Sequence, residues 1–114
     1  MTQRPVQRRE YRNQAVRIAD LTVTTVDIVD TVFDNCEVVG PAVLLTLEDV
    51  QISRCNFDAP DVDALIWPVP RRRTRVTGTV GLYRVSFTEC MFRRIGLAAH
   101  EDAAPLLRAT FTDL

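Results

Sequence analysis

"VFDNCEVVGP", Val32–Pro41, carries apolar residues at Val32, Phe33, Cys36 and Val38. That spacing fits neither the alternation of a single strand nor the repeat of a helix. The same arrangement returns in "QISRCNFDAP", Gln51–Pro60, with Ile52, Cys55 and Phe57, and in "SFTECMFRRI", Ser86–Ile95, with Phe87, Cys90 and Phe92. Each unit is an apolar residue, two variable residues, a cysteine, one variable residue and a second apolar residue. A two-residue gap breaks the side-chain alternation of one strand, so the unit reads as two short strands meeting at a corner, with all three marked side chains directed inward.

Working backward, Ile18-x-x-Leu21-x-Val23 satisfies the same template with leucine in the cysteine place, which gives starts at positions 18, 33, 52 and 87. The first two separations suit one turn of a β-solenoid, and the last is long enough for two turns with an insertion. Stacking in chain order would place Phe33, Ile52 and Phe87 in one internal ladder and Cys36, Cys55 and Cys90 in another, because a solenoid turn buries its apolar face only against its neighbours. Asp34, Asn35 and Asn56 flank the thiols as turn formers.

Between the second and third units, "ALIWPV" (64–69) and "VTGTVGLYRV" (76–85) read as strands, with Pro68 and Pro70 opening the loop "PRRRTR" between them. Gly78 and Gly81 let the chain bend or approach a neighbour closely. The tail "AAHEDAAPLLRATFTDL" (98–114) is alanine-rich and accommodates a short helix over 103–109 with Pro105 in its first turn.

The units "VFDNCEVVGPAV", "ISRCNFDAP" and "VSFTECMFRRIG" resemble the coils of small right-handed parallel β-helix proteins and, more distantly, pentapeptide-repeat proteins, with "ADLTV" and "CNFDA" as single pentapeptide-like fragments. The resemblance covers about 18–95 and implies an architecture and no particular activity. The expected fold is all-β: a short single-stranded right-handed parallel β-helix of about four to five coils with terminal capping segments. The chain is expected to be one domain over 1–114. Residues 1–17 form an Arg-rich N-terminal cap, 18–95 the coils with an inserted loop near 68–76, and 96–114 a C-terminal cap or tail.

Composition sets the outer limits. A chain of 114 residues, 46% hydrophobic with a formal net charge of −1, describes a single globular domain. No window offers the roughly 20 apolar residues of a membrane span, and the first 17 residues carry five arginines and no apolar run, so the expected location is the cytoplasm, without signal peptide or membrane contact. All fourteen basic residues are arginine, which removes lysine-based Schiff-base and general-base chemistry. Three cysteines without a CxxC pair fit buried reduced thiols better than disulfides or a zinc site.

No catalytic constellation assembles. Asp27, Asp30, Asp34 and Asp58 are the carboxylates that a carbohydrate-active β-helix enzyme would need on one external face. The single histidine, His100, lies outside the repeat, and "DAPDVD" (58–63) lacks the glycine and terminal glutamate of an EF-hand loop. The reading leans away from an enzyme and includes no cofactor or metal. It favours a non-catalytic interaction or scaffold module that associates with itself and with another protein.

Candidate binding residues are Trp67, Tyr83 and the loop arginines Arg71, Arg72, Arg73 and Arg75, since aromatics and arginine dominate interface hot spots. Together with Arg4, Arg8, Arg9, Arg12 and Arg17, the loop arginines would also suit an anionic ligand or nucleic acid, which the net charge does not favour.

Overall fold

The computed structural model describes residues 9–70 and 78–112. Within them the strands are β1 (Arg9–Arg12), β2 (Ala15–Arg17), β3 (Asp27–Asp34), β4 (Glu37–Ser53), β5 (Asn56–Phe57), β6 (Ile66–Val69), β7 (Thr79–Thr88) and β8 (Met91–His100). Three helices, α1 (Ile18–Leu21), α2 (Val62–Leu65) and α3 (Ala104–Thr112), complete the described elements. All strand pairs are parallel and belong to one sheet in the order β1-β3-β7-β4-β8-β5, with β2 on β4 and β6 on β8.

The repeated units do lie in register, in an order different from that of the chain. Tyr11 pairs with Phe33, Phe33 with Phe87 and Phe87 with Ile52. One corner further on, Val16 pairs with Val38, Val38 with Phe92 and Phe92 with Phe57. The unit at Phe87 therefore sits between those at Phe33 and Ile52, and the ladder expected in chain order is corrected to Phe33, Phe87, Ile52. Strand β4 makes this possible: its Val43–Thr46 segment is flanked by β7 on one edge and β8 on the other.

The start of the register also moves. Ile18, Leu21 and Val23 form no row; Ile18–Leu21 is α1 and Val23 is 80% exposed. The first row is Tyr11-Arg12-Asn13-Gln14-Ala15-Val16, with glutamine in the cysteine place, so the segment read as an N-terminal cap contributes β1 and β2 to the sheet.

Each unit turns its corner on one residue of positive φ. Asn13, Asn35, Glu89 and Arg54 have φ of 54°, 54°, 54° and 53°. This left-handed conformation costs roughly 1–2 kcal/mol for residues other than glycine, less for asparagine. The ladder continues through the bend and offsets that cost. The Asn13, Asn35 and Glu89 amides donate to the carbonyls of Asp34, Thr88 and Ser53 at 3.1, 2.8 and 2.9 Å. The side chains also link outside the bend, Asn35 Nδ2 to Asn13 Oδ1 at 2.8 Å and Arg54 to Glu89 at 3.2 Å.

A second aligned bend carries Asp30, Arg84 and Asp49, again at positive φ, where Arg84 pairs with Asp30 at 2.6 Å and Glu48 at 3.4 Å. At a third, Arg94 has φ of 54° and its amide donates to the Asp58 carboxylate at 3.1 and 3.2 Å. Gly40 lies opposite, where a β-carbon would collide with the Arg94 carbonyl oxygen.

Inside the bends lies the core. Tyr11 stacks on Phe33 (5.3 Å between centroids, planes 13° apart) and Phe33 on Phe87 (4.9 Å, 8°). Leu44, Leu97 and Ile66 form a further inward row. The cysteines are buried and free, as their setting between apolar positions predicts. Their thiols repeat one contact: Cys36 Sγ donates to the Tyr11 carbonyl at 3.2 Å, Cys90 Sγ to Phe33 at 3.4 Å and Cys55 Sγ to Phe87 at 3.5 Å. Each reaches the aromatic residue of the preceding row. Gln14, in the first row, has no such residue before it among the described strands, which accounts for the missing thiol.

The two ends of the sheet differ. At the Ile52–Phe57 end, α3 packs Phe111 edge-on against Phe57 and Phe92, with centroids 5.4 and 6.2 Å apart, while Leu107 packs against the core. Pro105 falls in the first turn of α3, where its missing amide costs no hydrogen bond. At the Tyr11 end, β1 pairs only with β3 and β2 only with β4, so each has an edge without a strand among the described residues.

Candidate interaction surfaces

Outward-facing residues follow from the same registers. Gly81, Leu45, Ala98 and Trp67 align across β7, β4, β8 and β6. Leu45 and Ala98 are buried and, with Val69, make a small cluster against which Val43 and Leu47 pack. Trp67, at the end of this row, is 51% exposed. It borders an open groove of about 520 Å³ walled by Pro41, Val43, Pro60 and Ile95, with Asp58 and Arg94 adding charge. A half-exposed indole in a proline-containing apolar groove offers area for an aromatic or aliphatic side chain, and its N–H adds a polar contact.

Tyr83 lies two residues beyond Gly81 on β7, in register with Val29 and Glu48. Gly81 leaves room for it: a β-carbon there would meet Asp27 Oδ1 at 2.6 Å and the Tyr83 ring at 3.3 Å. Trp67 and Tyr83 thus share the outer face with β4 and β8 between them, and Tyr83 does not wall the groove at Trp67. Arg71, Arg72, Arg73 and Arg75 lie outside the described residues, as do Arg4 and Arg8. The sequence reading missed Pro41, Val43, Ile95 and the Asp58–Arg94 contact; only the Gly40-Pro41 pair marked a special backbone there.

Of the four carboxylates considered for catalysis, Asp30, Asp34 and Asp58 are drawn into the bends. Asp30 holds Arg84, Asp34 holds Arg12 at 2.5 Å, and Asp58 accepts the Arg94 amide. Arg17 meets Asp20 at 3.2 Å and Arg93 meets Glu37 at 2.9 Å. Among the described residues no group of three or more His, Cys, Asp or Glu side chains is arranged to hold a metal ion. The three thiols are buried and each donates to a backbone carbonyl, and the hydrogen bond with Cys55 and then burial hold Cys90 above the ordinary thiol range. Such a thiol makes a poor nucleophile. No described helix is long and apolar enough to cross a membrane.

The second surface is the open end. Tyr11 borders a cavity of about 350 Å³ shared with Arg9, Leu21, Ile28, Val29 and Thr31. Val23, Val26 and Val29 are 80, 54 and 42% exposed along the approach to and start of β3. An unpaired strand edge beside exposed valines is a template for association. No family model matches the chain, and no curated protein or solved structure matches it.

Proposed function

We propose that the protein is a short parallel β-helix that acts as a non-catalytic interaction module and associates with itself, its four rows being coils of which the one at Phe87 is wound between those at Phe33 and Ile52. Parallel strands joined by crossovers are almost always right-handed, which favours the right-handed winding implied by the resemblance. The observation that carries the reading is the asymmetry of the ends: among the described residues, α3 covers the Ile52–Phe57 end, whereas β1 and β2 each have an edge without a strand. A partner protein of another kind has a separate place to bind, the groove at Trp67.

The nucleic-acid reading draws less support, since Arg12, Arg17, Arg54, Arg84 and Arg93 are all committed to carboxylates. A carbohydrate-active enzyme is disfavoured by the use of Asp30, Asp34 and Asp58 in the bends. Light scattering on a sizing column, at low and high salt, tests the reading. A stable oligomer at both supports it; a monomer across the accessible concentration range removes self-association from it.

A further inference from the structure

Self-association leaves open which atoms meet, and the first row restricts them closely. Resting on that reading, we infer that two copies join through β1, antiparallel about a twofold axis at Tyr11, with Glu10 of each copy opposite Arg12 of the other.

The backbone comes first. The Asn13 amide donates to Asp34 O at 3.1 Å, and the Tyr11 carbonyl accepts the Cys36 thiol. The groups at positions 11 and 13 therefore face β3. Because alternate residues of a strand direct their hydrogen-bonding groups to opposite edges, those of Glu10 and Arg12 face outward. An antiparallel partner must oppose these outward-facing residues to each other, and three registers do so. Opposing Glu10 to Glu10 or Arg12 to Arg12 sets like charges face to face, which is destabilising in a strand pair. The remaining register sets Glu10 against Arg12 twice.

The side chains agree with that register. Glu10 and Arg12 share the solvent face, and each side chain is 52% exposed. Arg12 already contacts Glu10 at 3.3 Å and Asp34 at 2.5 Å. Its planar fork carries five donors, enough to add a carboxylate from the second copy. Tyr11 points to the opposite, inner face and lies on the axis, in the non-hydrogen-bonded pair where Cα atoms approach most closely, about 4.5 Å. The Phe87–Phe33–Tyr11 stack then ends on the same stack of the other copy, and the inner faces of both sheets lie on one side. The self-complementary order of charges around an inward aromatic residue makes a second copy of this chain the fitting occupant of the edge.

The test is a charge swap in the full-length chain, read by light scattering and sedimentation. Wild type is expected to be a dimer. Glu10→Arg and Arg12→Glu are each expected to weaken it by about tenfold or more, and the double variant Glu10→Arg/Arg12→Glu to recover it, because the swapped charges again oppose. Since Arg12→Glu also faces Asp34, Tyr11→Cys serves as an independent probe. Mild oxidation is expected to give a covalent dimer, as the pair on the axis meets the Cα separation of a disulfide.

An oligomer that both single variants leave intact, or a folded Tyr11→Cys variant that does not cross-link, overturns the β1 interface and leaves self-association standing. A monomeric wild type overturns both.

Discussion

The rings of Phe33 and Phe87 lie 8° from parallel with centroids 4.9 Å apart, inside a row that continues to Tyr11 on one side and Ile52 on the other. Chain order would have put Ile52 beside Phe33. Phe87 instead contacts rows from both sides and meets Phe92 edge-on at 5.1 Å, so the last-made of these strands occupies the middle of the sheet.

Truncation at that central position is expected to cost more than at the row's end. Phe87→Ala should lose about 3–5 kcal/mol, against less for the partly exposed Ile52→Ala, as measured by denaturant unfolding. Equal losses would contradict the central placement.

The bends make a prediction of opposite character. Asn35 holds φ of 54° and bonds Asn13. Asn35→Val is expected to destabilise by about 2 kcal/mol, because a β-branched side chain tolerates this backbone poorly. Asn35→Gly should cost well under half as much, since glycine adopts the conformation freely. Thermal unfolding of the two variants checks the contrast.

Gly40 tests the third bend. Its missing side chain lets the backbone pass the Arg94 carbonyl. Gly40→Ala is expected to cost about 1–3 kcal/mol by overpacking, visible in the denaturation midpoint.

The buried thiols should be inert in the folded state. Alkylation of Cys36, Cys55 and Cys90, followed by mass spectrometry, is expected to be slow in buffer and complete in denaturant.

The helical end makes the last prediction. Phe111 covers Phe57 and Phe92. A chain ending after His100 would expose them beside the β5 and β6 edges, and it is expected to form larger species than the chain that carries α3. Sizing chromatography of the truncated and full-length chains distinguishes the two.

The unit Phe33-x-x-Cys36-x-Val38 specifies its own local structure because inward residues must be apolar, the two-residue gap places the bend, and a thiol is small enough to lie behind it. Those requirements act within a few residues and are written there. The template misleads at Ile18, Leu21 and Val23, where apolar residues three apart serve a helical turn equally well. It passes over Tyr11-x-x-Gln14-x-Val16, since that row has no preceding aromatic for a thiol to reach among the described strands.

Trp67 could be marked from its chemistry, but whether it lay in the core or on the surface depended on which side of β6 faced β8's buried row. The order of the rows is likewise tertiary. Phe33, Ile52 and Phe87 carry interchangeable local patterns, and any of them could stack on any other. Their order follows from which edges the long strand β4 leaves for β7 and β8 and from α3 covering the row that ends in Phe57. Edge pairing and end covering are properties of the assembled sheet, carried by residues far apart in the chain, and no short stretch of sequence contains them.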